Sequence, residues 1–249
     1  MISKRHLIVL AGATAAASLA EPAGAQISAE PPMSAGEAAT TLRDLVGRYL
    51  TWRGGAALEQ LQTIHERLFV DTPAGRQTGA FWLDRDGRLR RETVDGGVAR
   101  VEVAGPDGAW RTSADGKIED DPKGVERARR LALLEFGDAF RGRGGATVAL
   151  NGKAEIDDHT WSLVRITFGD ADTYDAMIDA GSGALGGYQI VEAGVKRSRR
   201  LGDWRLVDGV RMPLAQLDQT AAESETRISS VELNRPLDPA LFERPKPAA

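Results

Sequence analysis

Turn-forming dipeptides cut this chain into short, fairly even pieces, and that punctuation limits its fold more than any other feature. Between Leu61 and Glu119 the breaks are Pro73-Ala74-Gly75, Asp86-Gly87, Asp95-Gly96-Gly97, Pro106-Asp107-Gly108 and Asp115-Gly116. Asp-Gly and Gly-Gly pairs supply the positive φ of tight hairpin turns. Apolar residues between them recur with a period of two, which predicts strands over 61–70, 77–84, 89–94, 99–104 and 109–112. The pattern resumes after Gly145, with strands over 146–150, 161–168, 173–179, 186–192, 199–207, 210–218 and 226–233. Their turns are Asn151-Gly152, Asp157-Asp158, Gly169-Asp170, Gly181-Ser182-Gly183, Gly194 and Asp208-Gly209. A meander of antiparallel strands follows.

Two amphipathic helices interrupt it. Ser34-x-x-Glu37 has the form of a capping box, and Ala38, Leu42, Leu45, Val46, Tyr49 and Leu50 follow at helical spacing until Gly54-Gly55. Asp121-Pro122 opens the second helix as cap and first residue. Its apolar face is Val125, Ala128, Leu131, Ala132, Phe136, Ala139 and Phe140, and Gly142 stops it. A sheet this long curls to protect its edges and cover its apolar face. The helices at 34–53 and 122–141 are natural lids for the open side. The expected class is α+β, mainly antiparallel β, with one domain over 34–249. The tail from Pro236 to Phe242, punctuated by proline, is expected to tuck onto the sheet.

Residues 1–25 read as an export signal. Lys4, Arg5 and His6 precede an apolar stretch from Leu7, and Ala23-Gly24-Ala25 forms a small-x-small cleavage site. The stretch is short for a membrane span, which needs roughly 20 residues, and no later segment is apolar enough. Residues 26–33, with Pro31-Pro32, read as a flexible leader. The expected destination is the periplasm. The chain has 249 residues and a net charge of −4, which gives no reason to expect nucleic acid as a partner. Cysteine is absent, which removes disulfides, a lipidated cysteine anchor, thiol catalysis and cysteine-bound zinc.

Catalytic motifs are sparse. After the signal there are two histidines, His65 and His159. His65-Glu66 lacks the second histidine of a zinc-protease helix. Gly181-Ser182-Gly183 lacks the Gly-x-Ser-x-Gly frame and reads as a hairpin turn. Arg141-Gly142-Arg143-Gly144-Gly145 follows a helix, and a helix C-terminus repels anions. No catalytic residue, metal site or cofactor is expected. The basic run Lys196-Arg197-Ser198-Arg199-Arg200 reads as a solvated hairpin protecting an edge, or as a docking patch for an anionic lipid or acidic protein. The clearer signal is apolar. Val164, Ile166 and Phe168 alternate onto one face of their strand, so a curled sheet would line an enclosed space with one face. Phe81, Leu83, Trp110, Val164, Ile166 and Phe168 are the expected lining of a ligand cavity.

Three segments carry a family likeness. Tyr174-Asp175-Ala176-Met177-Ile178-Asp179-Ala180-Gly181-Ser182-Gly183 resembles a strand ending in an Asp-x-x-Ser/Thr-Gly turn. The run from Asp203-Trp204-Arg205 through Asp208-Gly209-Val210 to Met212-Pro213 resembles a later hairpin. Leu237-Asp238-Pro239-Ala240-Leu241-Phe242 resembles a closing Leu-Asp-Pro-x-Leu-Phe segment. With the order of helices and meanders, the chain resembles the outer-membrane lipoprotein carrier and sorting proteins, the LolA/LolB-like family. The resemblance implies an incomplete barrel whose mouth is covered by helices and whose cavity takes a lipid or lipoprotein acyl chain. The expected function is thus a non-enzymatic periplasmic carrier or binder of an apolar ligand. A packed interaction or sensor module binding an envelope protein is the alternative, and an envelope hydrolase is a third reading.

Overall fold

The computed structural model describes residues 26–28, 35–113, 115–169, 172–192, 194–219 and 224–245. The export signal read at 1–25 lies outside them. Along the chain come β1 (Gln26–Ser28), α1 (Ala35–Arg53), α2 (Ala56–Gln60), β2 (Thr63–Thr72), β3 (Gly75–Asp84), β4 (Leu89–Asp95), β5 (Val98–Gly105), β6 (Gly108–Thr112) and β7 (Ile118–Asp120). Then follow α3 (Gly124–Glu135), β8 (Ala146–Ile156), β9 (His159–Phe168), β10 (Asp172–Ile178), β11 (Leu185–Glu192), β12 (Val195–Val207), β13 (Val210–Gln219) and β14 (Ser224–Leu233).

All strands join one antiparallel sheet in the order β1-β8-β9-β10-β11-β12-β13-β14-β2-β3-β4-β5-β6-β7. Two local meanders are therefore sewn together by a single long-range seam, β14 on β2. The edges β1 and β7 do not pair, so the sheet is an incomplete barrel. The turns behave as their residues require: Gly96-Gly97 and Asp208-Gly209 both hold two successive positive φ values.

Three local readings change. Asn151-Gly152 does not end a strand: β8 runs through it, the register on β9 shifting between Leu150 and Lys153. The Asn151 amide donates to the Asp175 carboxylate at 3.0 Å, so this asparagine serves a bulge within the sheet. α3 begins at Gly124 with Lys123 as its N-cap, so Asp121 lies before the helix, its carboxylate held by Arg127 and by the Lys123 backbone N–H. The helix also ends early, at Glu135. Gly137 takes φ +73°, and a Cβ there would press on the Leu58 and Leu50 side chains. A separate 3-10 turn, Ala139–Arg141, follows. Within the stretch read as a leader, Gln26–Ser28 is a strand paired with β8.

The helices fill part of the concavity. Leu45 and Tyr49 of α1, with Leu134 of α3 and Phe140, pack on Val164, Ile166, Ala176, Ile178 and Tyr188. Leu58 of α2 and Ala128, Ala132 and Phe136, from α3 and the residue after it, pack on Ile64, Leu83, Leu89, Val210 and Met212. Each buried leucine, isoleucine, valine, methionine or phenylalanine among them contributes roughly 1.5–3 kcal/mol. Because α3 touches both clusters, it bridges the two wings of the sheet. On the convex face Val103 and Trp110 are covered by Phe242 and Leu237 of the tail, which does tuck onto the sheet.

Candidate functional site

The concave face changes character one pleat from the core. One cross-strand row runs Ile64–Leu83–Leu89–Ala104, and it is wholly apolar and packed. Two residues along each strand, toward the β2–β3 and β4–β5 hairpin tips, the next row runs Glu66–Phe81–Arg91–Glu102–Arg111. Side chains two apart on a strand share a face, so this charged row faces the same interior. The core stops there and open volume begins.

That volume is a partly enclosed cavity of about 430 Å³. Leu89, Arg91, Glu102 and Arg111 form one wall; Tyr174, Tyr188, Ile190, Glu192, Arg197 and Arg199 form the other; and Ala128, Leu131, Leu134 and Glu135 of α3 lie between them. A second cavity of about 220 Å³ shares Arg91, Thr93, Leu131, Glu135 and Arg199 with the first. It reaches on to Glu66, Leu68, Val70, Phe81 and Asp218.

Most of the interior charge is paired. Arg199 Nε donates to Asp218 at 2.7 Å. Arg127 donates to Glu102 at 2.8 Å and also holds Asp121, which raises the pKa of Arg127 and lowers that of Asp121. Arg197 pairs with Glu192, which also accepts from the Tyr174 hydroxyl. Burial, then that hydrogen bond, pushes the Tyr174 phenol up. Arg91 is more loosely held: its nearest carboxylate, Glu102, lies 3.6 Å away. Nearly half of its side-chain surface faces the open cavity, yet protein surrounds it and burial lowers its pKa.

Glu66 differs from these. It is 7 % exposed, and no hydrogen bond or ion pair reaches its carboxyl among the described residues. Burial raises its pKa from 4.5 to about 8, with Glu135 adding to the rise and Arg53 and Arg91 opposing it. The sign follows from linkage. The folded chain holds this proton more tightly than the unfolded one, so the associated stability is present below about pH 4.5 and is lost as pH rises toward 8. Urea denaturation between about pH 5 and 8 should show stability falling by about 1 kcal/mol per pH unit, a fall that Glu66→Gln removes. Parallel pH profiles for the two proteins would contradict the assignment.

The six residues expected to line the cavity are placed as follows. Phe81 borders the smaller cavity. Leu83, Val164 and Ile166 are fully buried in the packed core. Phe168 packs edge-on against Tyr174, with ring centroids 5.7 Å apart. Trp110 corrects the expectation most clearly, since it lies on the convex face under the tail while its neighbour Arg111 turns inward. The other five lie on the inner face: Phe81 borders the smaller cavity, and the helices cover the face around Leu83, Val164, Ile166 and Phe168.

Beside its apolar residues, the opening is lined by inward charges that sequence reading passes over. Their signal is parity: Glu66, Arg91, Glu102 and Arg111 fall in step with Ile64, Leu89, Ala104 and Ala109. The basic run is likewise split by the pleat. Arg197 and Arg199 turn into the cavity, whereas Arg200 pairs with Asp157 at 2.8 Å. It protects no edge, because β12 is an interior strand.

Neither histidine borders the cavity. His65 stacks on Trp82, centroids 5.0 Å apart. His159 Nε2 lies 3.0 Å from Asp179, whose other oxygen accepts from Ser182 Oγ at 2.7 Å. The acid therefore sits between the serine and the histidine. Activating a serine needs the histidine in the middle.

An incomplete antiparallel barrel with helices in its concavity, holding a partly open interior cavity, defines a class of fold. Solved structures name it: the chain has the LolA-like fold. It matches a LolA superfamily protein from Nitrosomonas europaea with a TM-score of 0.56 at 10% identity, over 82% of this chain and 97% of that one. A domain assigned to outer membrane lipoprotein sorting, from Vibrio parahaemolyticus, gives 0.53 at 9% identity over 84% and 97%. A DUF1329 family protein from Desulfovibrio piger gives 0.54 at 9% over 82% and 97%. No family model matches the sequence, and no curated protein does. Among the described residues, no helix is long and apolar enough to cross a membrane.

Proposed function

We propose that this chain is a periplasmic, non-enzymatic carrier or binder of an apolar ligand, a lipid or lipoprotein acyl chain, held in the half-barrel cavity. The observation that carries the reading is the opening of about 430 Å³ between the two wings, with Leu89, Leu131, Leu134, Tyr188 and Ile190 along it. Ligand sites commonly occupy about 300–1,000 Å³. Each methylene leaving water for such a surface is stabilised by roughly 0.8 kcal/mol. Support comes from the export signal read at 1–25 and from the fold shared with a domain assigned to lipoprotein sorting.

Leu131 belongs to both cavities and lies on the bridging helix. A fluorescent fatty-acid probe should bind the purified protein, and Leu131→Asp should weaken that binding at least about tenfold, through lost apolar contact. Fluorescence no higher than in buffer would remove the carrier reading.

The interaction-module reading has its own observation. Val94, Val98, Val195 and Phe69 are exposed beside hairpin tips, which suits contact with an envelope protein partner. An empty cavity in the purified protein, together with a stable complex lost on substituting these tips, would favour it.

A further inference from the structure

We propose that the floor where the two cavities meet is a headgroup site, in which Arg91 and Glu66 take the oxyanion of an acidic amphiphile. The proposal rests on the carrier reading for the tail and adds to it a polar recognition element.

Arg91 and Glu66 flank Phe81 on one cross-strand row. Their backbones are two strand spacings apart, roughly 10 Å, a span that two long side chains and a small headgroup can bridge. A buried carboxyl with no partner is unfavourable unless something completes its hydrogen bonds. Nothing in the described chain does so for Glu66, and it borders the cavity.

Among the described residues around Glu66, the charges leave one cation to serve a ligand. Glu135 faces Glu66 from α3 and Arg53 from α1, and these two are bonded to each other at 3.1 Å. Arg199 of β12 and Asp218 of β13 also line this cavity, and they too are bonded together. Arg91 of β4 remains. Its carboxylate, Glu102, is shared with Arg127, which holds it more closely, at 2.8 Å against 3.6 Å. One acid thus serves two guanidiniums, and Arg91 keeps free N–H donors.

Donor chemistry then selects the ligand. A guanidinium only donates, and a protonated carboxyl donates through its O–H. Two donors lining one cavity match an acceptor-only oxyanion, a carboxylate or phosphate, and charge assistance strengthens both bonds. Burial and Glu135 favour the protonated form of Glu66. An ammonium headgroup would need it ionised and would face Arg91. The floor is also walled by Ile64, Leu68, Val70 and Leu131, so an acyl tail has apolar surface beside the head.

The test is calorimetric titration of the full chain with laurate, methyl laurate and butyrate. Laurate should bind about tenfold or more tighter than its methyl ester, and butyrate should not bind measurably. Arg91→Gln should abolish the discrimination between acid and ester. Laurate affinity should fall between about pH 7 and 9 as Glu66 ionises, and Glu66→Gln, which keeps an N–H donor, should flatten that fall. Equal binding of laurate and methyl laurate by the native chain overturns the headgroup site while leaving the carrier reading intact. Butyrate binding as tightly as laurate also overturns it, in favour of a small-anion site. Failure of both long-chain probes takes the carrier reading away as well.

Discussion

Gly187→Ala is expected to destabilise the fold by about 2–6 kcal/mol, combining backbone strain with overpacking. Gly187 holds φ +148°, a conformation side-chain-bearing residues rarely adopt. It lies in β11 beside the point where the β10 register shifts, between Met177 and Ile178. A Cβ there would run into the Arg199 carbonyl on β12, 3.0 Å from its carbon, and would lie 2.9 Å from the Met177 methyl. The carbonyl is backbone and cannot turn aside, so β11 and β12 must part. Arg199 is also a wall of the cavity, so loss of probe binding should accompany the loss of stability. A urea midpoint close to that of the native chain would show that the sheet bends here more easily than its geometry implies.

Arg53→Met should cost about 2–3 kcal/mol, the loss of charge-assisted hydrogen bonds from a buried guanidinium whose partner carboxylate is partly open to the cavity. Arg53 is 2 % exposed and ends α1. It donates to the Glu135 carboxylate at 3.1 Å and the Glu135 carbonyl at 3.3 Å, and also to the Arg211 carbonyl of β13. Its guanidinium lies 5.2 Å from the Trp204 ring centroid. One side chain thus ties both covering helices to the sheet. Methionine keeps much of the volume and removes every one of these bonds, leaving the Glu135 carboxylate without its cation. Hydrogen exchange should show α1 amides losing protection ahead of the strands. Uniform loss across α1 and the sheet would mean that the helix is held by Leu45 and Tyr49 instead.

Much of the sheet is legible in the residues because turn chemistry and alternation are local. Alternation predicts 210–218 where the strand runs Val210–Gln219, and 89–94 where it runs Leu89–Asp95. What escapes a linear reading is set by distant contacts. Asn151-Gly152 has the composition of a turn, but strand β9 pairs on both sides of it and pulls it into the sheet. Gly186-Gly187 sits unremarked inside a strand until neighbours reveal its reason: Trp161 lies over Gly186 and the Arg199 backbone over Gly187. The candidate site is harder still. Alternation identifies two faces, but it cannot say how far the helices reach along the inner one. Val164, Ile166 and Phe168 therefore looked like lining and are core, while Glu66 and Arg91, one pleat beyond α3's apolar contacts on the other wing, border the opening.

The β14–β2 seam has a consequence for how this protein forms. Hairpins on either side of it close over a few residues and can assemble as they leave the ribosome or a membrane channel. The seam cannot: Ser229 meets the Arg67 carbonyl across 162 positions. Loop closure over such a distance is slow compared with zipping neighbouring hairpins. Until the final strand arrives, β2 is an unprotected template for pairing with other chains. A chain cut before β14 would lose the strand that joins the wings edge to edge, leaving α3 and the other covering helices as what holds the cavity walls together.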